Sequence, residues 1–181
     1  MATLFVDKID PQSGTSLEIG SSGDTITIPS GVTQSGVGGA NTPAWSVSLS
    51  ANQTIPNATV TKITFTREEA DTDNAFDNST NYRFTVPSGK AGKYFVAASV
   101  RTTTSNDFDS FYLYIKKNGN DLVFASIRNE FRETITTSCL VDLADADYLE
   151  CFAYNGEGSN IDLSGSSDKP SSTHFSGFKL I

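Results

Sequence analysis

Apolar side chains on both sides of the same strands constrain this chain more than any other feature. In "FYLYIKKNG", Phe111, Leu113 and Ile115 alternate with Tyr112 and Tyr114. The runs "TTSCLVDL" and "YLECFAY" flank Ala144-Asp145-Ala146, and a hairpin register symmetric about Asp145 sets Cys139 opposite Cys151. That register gathers Cys139, Val141, Leu143, Leu149, Cys151 and Ala153 on one face, and Leu140, Phe152 and Tyr154 on the other. Successive side chains of a strand point to opposite faces, and a two-layer sandwich needs to bury only one of them. The surplus face predicts a covering subunit, with Tyr112, Tyr114, Leu140, Phe152 and Tyr154 as contact residues.

Strand-like runs recur from Trp45 onward: "AWSVSLS", "TKITFT", "YRFTVP", "KYFVAASVRTT", "LVFASI" and "HFSGFKLI" join the three above. Turn chemistry separates them at Pro87-Ser88-Gly89, Asn118-Gly119-Asn120 and Asn155-Gly156. Short strands at regular intervals with such turns indicate an all-β sandwich or jelly roll. The one helix-like stretch, "REEADTD", is too short and polar to count. Twelve Phe, six Tyr and one Trp supply large core side chains, and a single Met argues against a helical bundle.

The first 33 residues have a different texture. A shift of nine residues superposes Gly14 on Gly23, Leu17 on Ile26 and Ile19 on Ile28. Apolar residues alternate with Glu18 and Thr27, the period of a strand with one buried face. "LFVDKI" before them reads as a further short strand. An isolated hairpin with so few apolar side chains is marginal in water. Identical neighbours around one axis would supply the missing face, so residues 1–33 read as a fibrous attachment segment; the alternative is a disordered leader. Its apolar residues are Leu4, Phe5, Val6, Ile9, Leu17, Ile19, Ile26 and Ile28. Residues 34–43, rich in Gly and Ser, read as a linker, and residues 44–181 as the head. The chain stops at Ile181 in an apolar strand, so anchoring is expected through the N-terminus with the head facing outward.

A net charge of −8 and only two adjacent lysines in "YIKKNG" exclude a phosphate-binding surface, and with it nucleic acid as a partner. Anionic membrane surfaces are disfavoured for the same reason. No apolar run approaches the roughly 20 residues of a membrane span, and "MATLFVDKID" lacks a signal-peptide core. The expected site of synthesis is a cytoplasm.

The run "AFDNSTNYRFTVPSGKAGKYFVAASV" resembles the signature of C1q-like domains of the C1q/TNF jelly-roll superfamily. The matching positions are Phe76-Asp77, Phe84, Pro87, Gly92 and Tyr94, with Phe95 displaced by one from the usual second aromatic. "KKNG", the closing "FSGFKLI" and Trp45 in the opening strand extend the likeness over about residues 44 to 181. The chain departs from the family at Ala144-Asp145-Ala146-Asp147, where a Gly-Asp is usual, and no collagen-like stalk precedes the head. The N-terminal pattern is similar to segments of bacteriophage tail-fibre and appendage proteins. Together these imply a C1q/TNF-like jelly-roll β-sandwich, homotrimeric, behind a short fibrous β-rich segment on a virion surface. Its partners would be its own copies, other virion proteins and a host-surface glycan or protein. A bacterial C1q-like carbohydrate- or protein-binding module outside any virus is the alternative.

The chemistry-bearing residues are few. His174, the sole histidine, has Ser172 and Ser176 nearby but no nucleophile-elbow motif, so no enzyme is expected. Asp71, Asp73 and Asp77 offer hard oxygen ligands for calcium, but Ala75 and Tyr82 stand where an EF-hand needs ligands. Some C1q-like trimers hold calcium near their axis, which keeps the ion open as a ligand; no other cofactor is expected. Phe108 between Asp107 and Asp109 reads as a loop aromatic able to stack on a sugar while the carboxylates take its hydroxyls. Cys139 and Cys151, opposite one another, are expected as reduced core thiols rather than a disulfide.

Overall fold

The computed structural model describes residues 9, 13–15, 17, 19–28, 30–31, 41–128 and 130–180, and the side chains of these except residues 104–108 and 130–133. The chain divides into two units, Met1–Gly38 and Gly39–Ile181. In the second unit the described elements are all strands: β1 (Ala44–Ser48), β2 (Gln53–Ile55), β3 (Thr59–Lys62), β4 (Arg67–Asp71), β5 (Phe76–Asp77), β6 (Arg83–Thr85) and β7 (Gly92–Phe108). They continue with β8 (Phe111–Lys117), β9 (Asn120–Ile127), β10 (Glu130–Leu143), β11 (Tyr148–Asn155), β12 (Ile161–Leu163) and β13 (His174–Lys179).

The strands form two antiparallel sheets. One has the order β2-β12-β7-β13-β1-β4, with β10 along the other edge of β7; the second has the order β5-β6-β11-β8-β9. Period-2 alternation sets their inner faces. Phe111, Leu113 and Ile115 of β8 are buried while Tyr112 and Tyr114 between them are half-buried on the outside. Aromatic rings fill the space between the sheets. Trp45 of β1 stacks on Phe84 of β6, with ring centres 3.8 Å apart and planes 10° from parallel, and Phe175 of β13 meets the indole edge-on at 5.4 Å. Gly177 makes room for this ring, since a Cβ there would lie 2.4 Å from the Trp45 Cη2. Tyr94 is buried beside them. Its hydroxyl donates to the Lys90 carbonyl at 2.6 Å, and burial, aided by Asp73 and Asp145, pushes its pKa up to about 12.

The turns obey local chemistry. β8 and β9 join through Asn118 and Gly119 alone, with φ values of 51° and 80°. Two positive φ values are what a type I′ hairpin loop requires, and Asn-Gly is its preferred pair. Gly89, at φ 75°, takes the left-handed position of the Pro87–Lys90 turn, closed by the Lys90 amide donating to the Pro87 carbonyl at 3.1 Å.

Three sequence expectations are corrected. The runs ending at Leu143 and starting at Tyr148 do not form a hairpin: β10 pairs with β7 in one sheet, and β11 with β6 and β8 in the other. Cys139 is therefore in register with Val96 and Cys151 with Ile115, and both are free thiols. The cause lies at Asp145, whose carboxylate accepts from the Gly89 amide at 2.8 Å and the Ala91 amide at 2.9 Å. That draws the 144–147 turn onto another loop and makes it a corner between layers. Second, the first five residues of "REEADTD", given no strand in the sequence reading, form the edge strand β4, paired with β1, because backbone pairing along an edge tolerates polar side chains. Third, Phe108 ends β7 in register with Glu130 rather than lying in a loop, since β10 continues the antiparallel ladder beyond a bulge. The N-terminal strands are expected only where several copies meet, and in the single chain residues 17, 19 and 24–28 carry no strand; a turn closes Ser21 to Asp24, with Gly23 at φ 96°. Leu4, Phe5, Val6 and the linker residues 34–40 lie outside the described residues.

Candidate contact faces

The five residues expected to meet a neighbouring subunit fall on two different sheets. Leu140 of β10 is 66% exposed and lies in register with Phe95 of β7, which in turn is in register with Phe178 of β13, and Phe178 with Ala44 of β1. Phe95 and Phe178 are in ring contact at 5.8 Å. This row crosses the outer face of the first sheet, and beside it lies a depression of about 410 Å³ lined by Trp45, Ala70, Phe95, Ser176 and Phe178 among others.

Tyr112, Tyr114, Phe152 and Tyr154 lie on the outer face of the second sheet. Registers between β11, β8 and β9 align Tyr154 with Tyr112 and Ser126, and Phe152 with Tyr114 and Phe124. The rings of Tyr112 and Tyr114 are near parallel at 5.8 Å, Tyr154 meets Tyr112 edge-on at 5.8 Å, and Phe124 tilts toward Tyr114 at 5.9 Å. Cations dress this face. Lys62 and Lys116 lie over Phe152, at 5.6 and 5.2 Å from the ring centre, and Arg128 over Tyr112 at 5.3 Å. The Arg128 guanidinium also donates to the Tyr112 hydroxyl. Lys62 is paired with Glu150 at 2.5 Å and Lys116 with Asp121 at 2.7 Å. Burial, then Asp121 and Tyr154, push the Tyr114 hydroxyl pKa up, so the group remains a donor. Within one chain the tyrosine rings cover one another and the two lysines cover Phe152, so all four are half-buried without a second copy. Phe124 and Arg128 were missed by sequence reasoning; the outward position of Phe124 opposite Tyr114 was the available signal.

The acidic candidates are not brought together. The Asp71 carboxylate accepts from the Phe76 amide at 2.7 Å. Asp73 accepts from the Thr72 hydroxyl at 2.7 Å and pairs with Lys90 at 3.4 Å. Asp77 caps its own loop, accepting from the amides of Thr80, Ser79 and Asn81 at 2.8, 3.0 and 3.0 Å, which hold its carboxyl well below the usual range. Among the described residues no three His, Cys, Asp or Glu side chains converge on a point. Asp109 is exposed after the end of β7, and the side chains of Asp107 and Phe108 lie outside the described ones. His174 opens β13 in register with Ser48 and Ser99. The Ser48 hydroxyl donates to Glu69 at 3.0 Å, so its proton is directed at a carboxylate rather than the imidazole. In a Ser-His-acid triad that hydroxyl would face the imidazole.

In the N-terminal unit, Ile9, Leu17, Ile19, Ile26 and Ile28 are between 41% and 62% exposed. That is a dense set of large apolar groups in water for so short a segment.

No protein-family model matches the chain. It is 30% identical over 111 residues to the uncharacterized protein YqcC of Bacillus subtilis (strain 168), a match covering 57% of this chain. The matched stretch spans only 30% of that relative's length. Among solved structures, the PRD1 vertex protein P5 superposes with a TM-score of 0.62 at 16% identity, over 79% of this chain and 100% of that one. The globular domain of the zebrafish complement 1qA protein gives 0.53 at 19% identity, over 77% and 98% of the two chains. Murine APRIL gives 0.57 at 13% identity, over 76% and 98%. Two antiparallel sheets around an aromatic core, in the strand order given above, make the head a C1q/TNF-like jelly roll.

Proposed function

We propose that this chain is a non-enzymatic homotrimer on the surface of a phage virion, held by its N-terminal segment, with the jelly-roll head turned outward. The head binds a host surface or decorates the capsid. The observation that carries this reading is the likeness in fold to a vertex protein of PRD1, which extends over the whole of that chain. The exposed Ile9, Leu17, Ile19, Ile26 and Ile28 support attachment at the N-terminus, since water-facing groups of that size are a sign of an absent partner. Leu4, Phe5 and Val6 are proposed to join them.

In the head, the threefold contact is assigned to the row Ala44, Phe178, Phe95 and Leu140. It carries only hydrocarbon side chains, so burying it at roughly 25 cal/mol per Å² meets no desolvation cost. Tyr112, Tyr114 and Tyr154 carry hydroxyls, and cations lie over Phe152, Tyr114 and Tyr112, all of which a dry interface would have to desolvate. Immunogold labelling of purified particles with antibody to the head tests the location. Gold on particles is the expected outcome, and its absence from intact particles overturns the virion assignment. The match to a Bacillus subtilis chain favours a second reading, a bacterial C1q-like binding module outside any virus. Recovery of the protein in the bacterial envelope fraction rather than on particles would favour it.

A further inference from the structure

We propose that the outer face of the second sheet is a binding site for an acidic saccharide, in the depression between Tyr112, Tyr114, Tyr154 and Arg128. This rests on the reading of the head as a contact domain and names its ligand class. The depression measures about 450 Å³ and is lined by Val60, Ser110, Tyr112, Tyr114, Arg128 and Tyr154. That is a volume suited to one or two sugar rings.

The lining is half apolar ring and half hydrogen-bonding group. The C–H groups of a pyranose ring carry partial positive charge and favour the negative face of an aromatic. Three tyrosines supply such rings together with hydroxyls that both donate and accept. Phe124, 56% exposed, extends the platform next to Tyr114 toward the edge strand β9, where a longer chain would continue. The charge selects the acid. Lys62 and Lys116 are matched by Glu150 and Asp121, whereas Arg128 stands at the depression itself, donates to the Tyr112 hydroxyl and, among the described residues, pairs with no carboxylate. A guanidinium fork suits a planar carboxylate, and this one lies in a protein of net charge −8 that otherwise repels acids. The proposed event is binding alone, with no bond made or broken.

The test is isothermal titration calorimetry of the full chain with an oligogalacturonate, a maltooligosaccharide of equal length and an inorganic polyphosphate. The oligogalacturonate is expected to bind about tenfold more tightly than the neutral sugar, with no displacement by polyphosphate. Arg128→Gln is expected to erase that difference, and Tyr114→Ala and Phe124→Ala each to weaken binding of both sugars about tenfold. Phe124 is largely exposed, so its variant keeps the test sound if Tyr114→Ala fails to fold. The proposal is overturned by no heat with oligogalacturonate, by equal affinity for the neutral sugar, by displacement with polyphosphate, or by wild-type binding in both aromatic variants. Sedimentation of the same samples separates the two readings. Monomers of wild type would sink the homotrimer and leave the sugar site to the calorimetry. A change of oligomeric state on Phe124→Ala would make this face an interface between copies and end the sugar proposal.

Discussion

The two outer faces of the sandwich are both rich in large side chains, yet they are chemically unlike. On the first sheet, Leu140, Phe95 and Phe178 form a row with no polar atoms, and Leu140 stands 66% exposed. On the second, Tyr112, Tyr114, Phe152 and Tyr154 lean on one another and under lysine and arginine side chains, and each is half-buried already. The two faces therefore suit partners of different chemistry. A hydrocarbon row gains only by leaving water, whereas an amphipathic aromatic face keeps part of its free energy in hydrogen bonds and cation contacts that suit a wet, polar partner.

The two faces share one core, and the largest effect is expected where they depend on it together. Phe84→Ala removes the ring stacked on Trp45 between the sheets and should cost about 3–5 kcal/mol in urea unfolding. Retention of either face's behaviour in a strongly destabilised variant would break the idea that both rest on the same packing. The next effect separates the faces. Leu140→Asp should weaken self-association by about 2 kcal/mol or more in sedimentation equilibrium, about thirtyfold, with the fold intact by circular dichroism. Phe124→Asp should leave association unchanged. The reverse result would transfer the interface to the second sheet.

The smallest effect concerns how the end of the second sheet is pinned. Lys117, then the Asn118 amide group and the Ala144 amide, hold the Asp147 carboxyl at a pKa of about 2. An Asp in the unfolded chain titrates near about 3.9. The stability from this group is thus complete above about pH 4 and is lost as pH falls through the folded value. Asp147→Asn should flatten the decline of melting temperature between pH 4 and pH 2 (the window set by those two values) while lowering it at neutral pH. An unchanged acid slope would show that the corner is held by Asp145 alone.

Much of the head was legible in its residues. Alternation placed Phe111, Leu113 and Ile115 inside and Tyr112 and Tyr114 outside, and Asn118-Gly119 marked its hairpin, because both signals act over a few bonds. Short or polar strands were not legible. β2 and β12 contribute one and two buried side chains and β4 none, and they are strands only because a neighbour's free edge takes their backbone groups. The candidate face was half legible: four of its aromatics were named, as outward-facing residues awaiting a partner, and Phe124 and Arg128 joined them only through the register with β9 and the approach of its end.

The sequence by itself determined that the chain is all-β, which side chains of each strand face inward and where the tight turns fall. Only the tertiary structure decided which strands are neighbours. Cys139, Leu143, Leu149 and Cys151 point into the same core whether their strands pair in one sheet or face each other across two, so a period of two residues carries no information about the partner. The decision came from contacts distant in sequence, such as the Asp145 carboxylate on the Gly89 and Ala91 amides, which turn the chain from one layer into the other.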